Sequence, residues 1–225
     1  MSKAIIVVDW AYKGTKRKGH GTGRKGLSST LKYLQYRDKV QNHLAENHDY
    51  ERWQDRGMGL HWRDIMKNSD SLQSKHVLAW TWVISPAPDL MELVPEEQRR
   101  NLVCDLTERI VEDYYLERGY TIPEYSFILH DRQANMDDEG DTMQQLHTHV
   151  VLPGTAPLPG FDREAVYNNK ERGHDALFRE IASRHFSEAL DRMVGPEWQQ
   201  LREEEPEVEP DIPDADDFDA WFPSL

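Results

Sequence analysis

His147, Thr148 and His149 form a His-x-His pair within the run Leu146–Leu152. The two-residue period of a β-strand sends both imidazoles to one face. His130 ends an earlier apolar segment, where hairpin pairing would bring it beside the pair. Three neutral imidazoles converging on one point make a divalent-metal site with coordination positions left open for a substrate. Nitrogen ligands of this kind suit Mn, Co, Ni or Zn. A metal-bound imidazole commonly gives its second N–H to a carboxylate, and Asp131 adjoins His130. The remaining histidines read as ordinary surface or core residues.

Tyr33 offers a second kind of chemistry. It lies among Lys32, Arg37 and Lys39, and nearby cations favour the phenolate. A phenol is a poor nucleophile unaided, so a metal on the attacked phosphate would have to supply the rest. Tyr36, one helical turn on, is an alternative, because the sequence does not fix which face of the helix looks inward.

These residues need elements to hold them. Ala4–Trp10 is rich in β-branched residues and predicts a first strand. Lys13–Gly26, rich in glycine and basic residues, predicts a loop. Ser28-Ser29-Thr30 supplies N-cap chemistry for a helix over 31–37. Residues 38–75 read as a helix-containing insertion. His76–Ser85 predicts a buried strand stopped by Pro86 and Pro88, and Pro95 and Gly119 bracket a long helix with an apolar stripe. Two strands over 125–131 and 146–152 follow, joined by the acidic segment 132–145. Residues 165–167 predict a short edge strand, and 174–193 an amphipathic helix. The expected fold class is α+β: a two- or three-layer sandwich with a central, mainly antiparallel sheet flanked by helices. Residues 1–200 would form one domain. The acidic segment 201–225, rich in Glu, Asp and Pro, reads as an unfolded tail ending in a short aromatic docking segment.

Charge is divided between the ends. The net charge is −14, yet residues 1–40 carry +8, while residues 203–225 hold ten acids and no base. Such asymmetry points to nucleic acid at the basic end. Lys16, Arg17, Lys18, Arg24, Lys25, Lys32 and Arg37 are the expected backbone contacts, with Trp53 or Trp62 to stack an unpaired base. Cys104 is the single cysteine and reads as a core residue. No apolar run approaches the roughly 20 residues of a membrane span, and the start of the chain lacks signal-peptide features, so the expectation is a cytoplasmic protein.

The combination resembles the relaxases, the DNA-nicking enzymes of plasmid mobilisation and conjugation, of MobA/MobL type within the His-hydrophobic-His endonucleases. The matching residues are Tyr33-Leu34-Gln35-Tyr36-Arg37 after a Gly/Lys-rich loop, Trp82-Val83-Ile84-Ser85-Pro86, His130-Asp131, and His147-Thr148-His149-Val150-Val151, in that order over about residues 3–193. Thr148 is polar where the family is usually hydrophobic, and the gap before the pair is long and acidic.

The resemblance implies site- and strand-specific nicking and rejoining of single-stranded DNA at an origin of transfer. Tyr33 would be the nucleophile, giving a 5′-phosphotyrosyl link, and His130, His147 and His149 would hold Mg or Mn. Asp131 would orient a ligand or assist deprotonation. Accessory transfer or coupling proteins would dock through the acidic tail. Two other readings stay open. A rolling-circle replication initiator would use Tyr167 of Tyr167-Asn168-Asn169-Lys170, and a non-catalytic binder of single strands would need no nucleophile.

Overall fold

The computed structural model describes residues 4–15, 23–41, 53–135, 142–160 and 162–203. Five strands build the central sheet: β1 (Ile6–Gly14), β2 (Gln54–Arg56), β3 (Val77–Pro86), β4 (Tyr125–Asn135) and β5 (Thr142–Pro153). Their order is β1-β3-β5-β4-β2, and every named strand pair is antiparallel. β3 is buried along nearly its whole length because it has a strand on each side and helices over both faces. β1, at one edge, begins with alternating burial.

The alternation of side chains along the strands creates two separate cores. On one face pack α4 (Glu96–Leu116) and α5 (His174–Met193), with the short α3 (Pro88–Glu92) and α6 (Trp198–Glu203). Their core joins Val8, Trp82, Phe127 and Val150 of the sheet to Ile110, Tyr114 and Phe178 of the helices. Trp82 is its centre, with ring centroids 5.1 Å from Tyr114, 5.9 Å from Tyr115 and 4.7 Å from Phe178. On the other face lie α1 (Gly23–Gln41) and α2 (Trp62–Ser71), packed over Ala79, Ile128 and Val151 through Leu27, Leu31, Leu34 and Ile65. The result is a three-layer α/β/α sandwich, the second of the two forms the α+β expectation allowed. A two-stranded sheet of β6 (Thr155–Pro157) and β7 (Arg163–Ala165) and a 3-10 turn at Lys170–Arg172 connect β5 to α5.

Several boundaries differ from expectation for physical reasons. α1 starts at Gly23, whose φ of +77° turns the chain into the helix, so Ser28, Ser29 and Thr30 lie within it rather than capping it. Burial of Leu27 and the ion pair of Arg24 with Asp70 of α2 hold this extra length. The β4–β5 hairpin reaches into the segment expected as loop, leaving residues 136–141 outside the described residues. The short edge strand forms at 163–165 and pairs with β6, and α6 runs to Glu203. Residues 204–225 lie outside the described residues, as do Lys16, Arg17 and Lys18. Cys104 is half-buried on α4; burial pushes its thiol pKa up, and Gln54 Nε2 donates to its sulfur at 3.1 Å. No described helix is long and apolar enough to cross a membrane.

Candidate metal centre

His130 on β4 stands directly opposite His147 on β5, and His149 follows two residues along the same strand. Directly opposed residues share a face, so all three imidazoles point into the α1/α2 layer. One nitrogen from each lies within 4.8 Å of the other two, and the ring centroids are 5.0–5.5 Å apart. His130 and His147 are buried and His149 is half-buried.

Main-chain carbonyls orient two of the rings. His130 Nε2 donates to the Leu34 carbonyl of α1 at 3.0 Å, which makes Nδ1 its ligating atom. His147 Nδ1 donates to the Gln145 carbonyl at 3.3 Å, which turns Nε2 inward. Three nitrogen donors clustered on two hydrogen-bonded strands fit a divalent ion, with coordination positions left for a substrate.

Asp131 does not take the orienting role expected of it. As His130's immediate neighbour in a strand, it points to the opposite face. There Gln144 Nε2 donates to it at 2.7 Å and Arg100 of α4 lies 3.4 Å away. A different acid shares the triad's face. Asp9 of β1 is opposite Val83, which is opposite His149, so Asp9 stands two strands away, about 10 Å at the usual strand spacing. Asp9 is the single acid within the β-branched run Ala4–Trp10. Arg132, Gln145 and Ser85 also share this face: Arg132 Nε donates to Gln145 Oε1 at 2.8 Å, and Gln145 Nε2 to Ser85 Oγ at 3.3 Å. The signal for Arg132 and Gln145 was the strand period, two residues from His130 and from His147. Thr148, between the paired histidines, faces away and is fully buried, its hydroxyl 2.7 Å from that of Thr107 on α4. Thr107 Oγ1 donates to the Val103 carbonyl, so Thr148 is the donor of that pair.

The tyrosines separate in space. Tyr33 precedes Leu34, whose carbonyl receives His130, and packs half-buried against the core of this face. On α1, Gln35 accepts from Trp62 N at 2.8 Å, Lys32 Nζ sits 4.5 Å over the Trp62 ring, and Tyr36 Oη lies 3.3 Å from His61 Nε2. That flank of α1 therefore meets α2; around the axis Tyr33 lies about 60° from Tyr36 and about 100° from Lys32. Tyr167 belongs to the other layer: its carbonyl accepts from Arg118 Nη2, just past the end of α4, at 2.8 Å, and the adjacent Val166 carbonyl from the Trp80 indole at 3.2 Å. Burial pushes the phenols of Tyr114, Tyr115 and Tyr125 well above the ordinary tyrosine range.

Of the expected DNA contacts, Lys25 is exposed on α1, Arg24 is engaged with Asp70, and Arg37 is carried by the same helix. Trp53 is 1% exposed and cannot stack a base; Trp62 is half-buried beneath Lys32 and Arg63.

Among solved structures, the chain is similar to the metal-bound conjugative relaxase TrwC in complex with oriT DNA, with a TM-score of 0.50 and 12% identity over 83% of this chain and 70% of that one. It has the relaxase fold. The copper-bound form of TrwC with oriT DNA matches at a TM-score of 0.47 and 13% identity, covering 83% of this chain and 70% of that chain. A TrwC complex with a 27-mer comprising the recognition hairpin and the cleavage site matches at 0.46 and 12%, covering 83% and 69%. No protein-family model and no curated protein matches the chain. The relaxase fold thus rests on architecture, and the triad occupies two adjacent strands at its centre.

Proposed function

We propose that this chain is a metal-dependent relaxase that nicks and rejoins single-stranded DNA at an origin of transfer through a tyrosine nucleophile. The observation that carries the reading is the three-histidine cluster, tied by His130 to the helix that bears Tyr33. A bound divalent ion, Mg or Mn in use, would supply Lewis-acid polarisation of the scissile phosphate.

This chain's residues do the rest. Tyr33 Oη forms a bond to phosphorus as the P–O3′ bond breaks, leaving a 5′-phosphotyrosyl link and a 3′-oxygen that takes a proton from water to become the free 3′-hydroxyl. The phosphotyrosyl ester is itself a phosphodiester, so attack by a 3′-hydroxyl rejoins a strand. Asp9, on the triad's face, is the carboxylate we assign to accept the phenol proton, in place of Asp131. Lys25, Lys32 and the basic segment 16–18 would track the DNA backbone. Cytoplasmic location and docking of transfer or coupling proteins on the acidic segment belong to the same reading, as does a single domain over 1–200 followed by that acidic tail.

A denaturing gel tests it: protein, Mn²⁺ and labelled single-stranded DNA from the chain's own element, beside Tyr33→Phe and Tyr167→Phe. The expected result is an SDS-resistant labelled band that disappears only in Tyr33→Phe. Loss only in Tyr167→Phe would move the protein to the replication initiators. No band with any metal, despite DNA binding, would leave a non-catalytic binder.

A further inference from the structure

On the sheet face away from the triad, a cavity of about 350 Å³ opens between the end of α4, β7 and the start of α5. Its floor is Arg118, whose guanidinium lies 5.0 Å from the Tyr114 ring and 5.5 Å from the Tyr120 ring. Hydrogen bonds to Tyr114 Oη, Asn168 Oδ1 and the Tyr167 carbonyl at 2.7–2.9 Å fix it there. Arg172, exposed, and His174 line the same side. His174 Nδ1 accepts from Asn169 N at 3.1 Å, which leaves Nε2 as a donor. Burial, with Arg118 and Arg172, lowers the His174 pKa, so this ring is a neutral donor near pH 7.

The aromatic side is unusual for a surface. Tyr167 is 48% exposed on the cavity wall. Tyr12, 58% exposed, packs on Trp80 at 5.4 Å, and Trp80 donates to Val166 beside Tyr167, so a second exposed ring is tied to the same place. Glu164 on the rim disfavours a bare anion such as inorganic phosphate, whereas a base can stack on Tyr167 while its phosphate meets Arg172.

We infer that this cavity holds an unpaired nucleotide of single-stranded DNA, as a second contact remote from the nicking centre. The inference rests on the proposed DNA reading. It is tested by fluorescence anisotropy with a labelled oligothymidylate of about 20 nucleotides, using Tyr167→Ala, Tyr167→Phe and Arg172→Glu in the full chain, with circular dichroism to confirm folding. Tyr167→Ala and Arg172→Glu should each weaken binding about tenfold, while Tyr167→Phe, which keeps the ring, stays within twofold. Unchanged affinity in Tyr167→Ala, or equal loss in Tyr167→Phe, would overturn the site. The wild-type covalent band separates the two readings. A band with unchanged Tyr167→Ala affinity sinks this site alone, and no band with weakened affinity sinks the nicking reading alone. A wild type that does not bind the oligonucleotide sinks this site, and the covalent band then decides the nicking reading by itself.

Discussion

The two faces of the central sheet are built from the same strands and do opposite work. Toward α4 and α5 the strands present Val8, Trp82, Phe127 and Val150, and the rings of Tyr114, Tyr115 and Phe178 close over them. Toward α1 and α2 the same strands present His130, His147, His149 and Asp9. Thr148 and the paired histidines are successive residues of β5, yet one hydroxyl braces α4 while the imidazoles gather on the other side. The α4/α5 layer holds the larger core, and the α1/α2 layer sets three clustered polar rings beside a smaller one.

Substitutions that act on one face only can break this division. Trp82→Ala should cost about 3–5 kcal/mol in urea unfolding, because a fully buried indole leaves a cavity among packed rings; the folded fraction should still bind Mn²⁺ normally. His147→Ala should do the reverse, weakening Mn²⁺ affinity by about 100-fold or more in calorimetry while moving the metal-free unfolding midpoint little. Asp9→Asn should slow formation of the covalent adduct about 100-fold without loss of metal, as expected of a proton acceptor. Thr148→Val should cost about 1 kcal/mol of stability, since it removes the hydroxyl that donates to Thr107. Asp131→Asn should leave both adduct rate and metal affinity within about twofold, its partners being Arg100 and Gln144 on the far face. An Asp131→Asn variant as slow as Asp9→Asn would erase the distinction between the faces.

The sequence made the triad legible because strand alternation and the order of segments both constrain it: His147 and His149 had to share a face, and a hairpin could bring only a residue near His130 alongside. The same alternation places Asp131 away from His130, which adjacency in sequence obscured. β2 is three residues long and offers no periodicity, so it was illegible. The early start of α1 depends on Asp70 meeting Arg24 across 46 positions of chain, a contact no local pattern announces. Asp9 became visible only when the register of β1 on β3 and of β3 on β5 placed it in His149's row.

The bond from His130 to the Leu34 carbonyl has a genetic consequence. Its acceptor is main chain, so every amino acid at position 34 still provides it. Alanine scanning of α1 would register Leu34 as an apolar packing residue and miss its second duty. Only changes that shift the helix itself, such as a proline in its last turns, remove the acceptor. The histidine can therefore be held through long sequence drift in α1, and relatives sharing this arrangement need share no residue at that position.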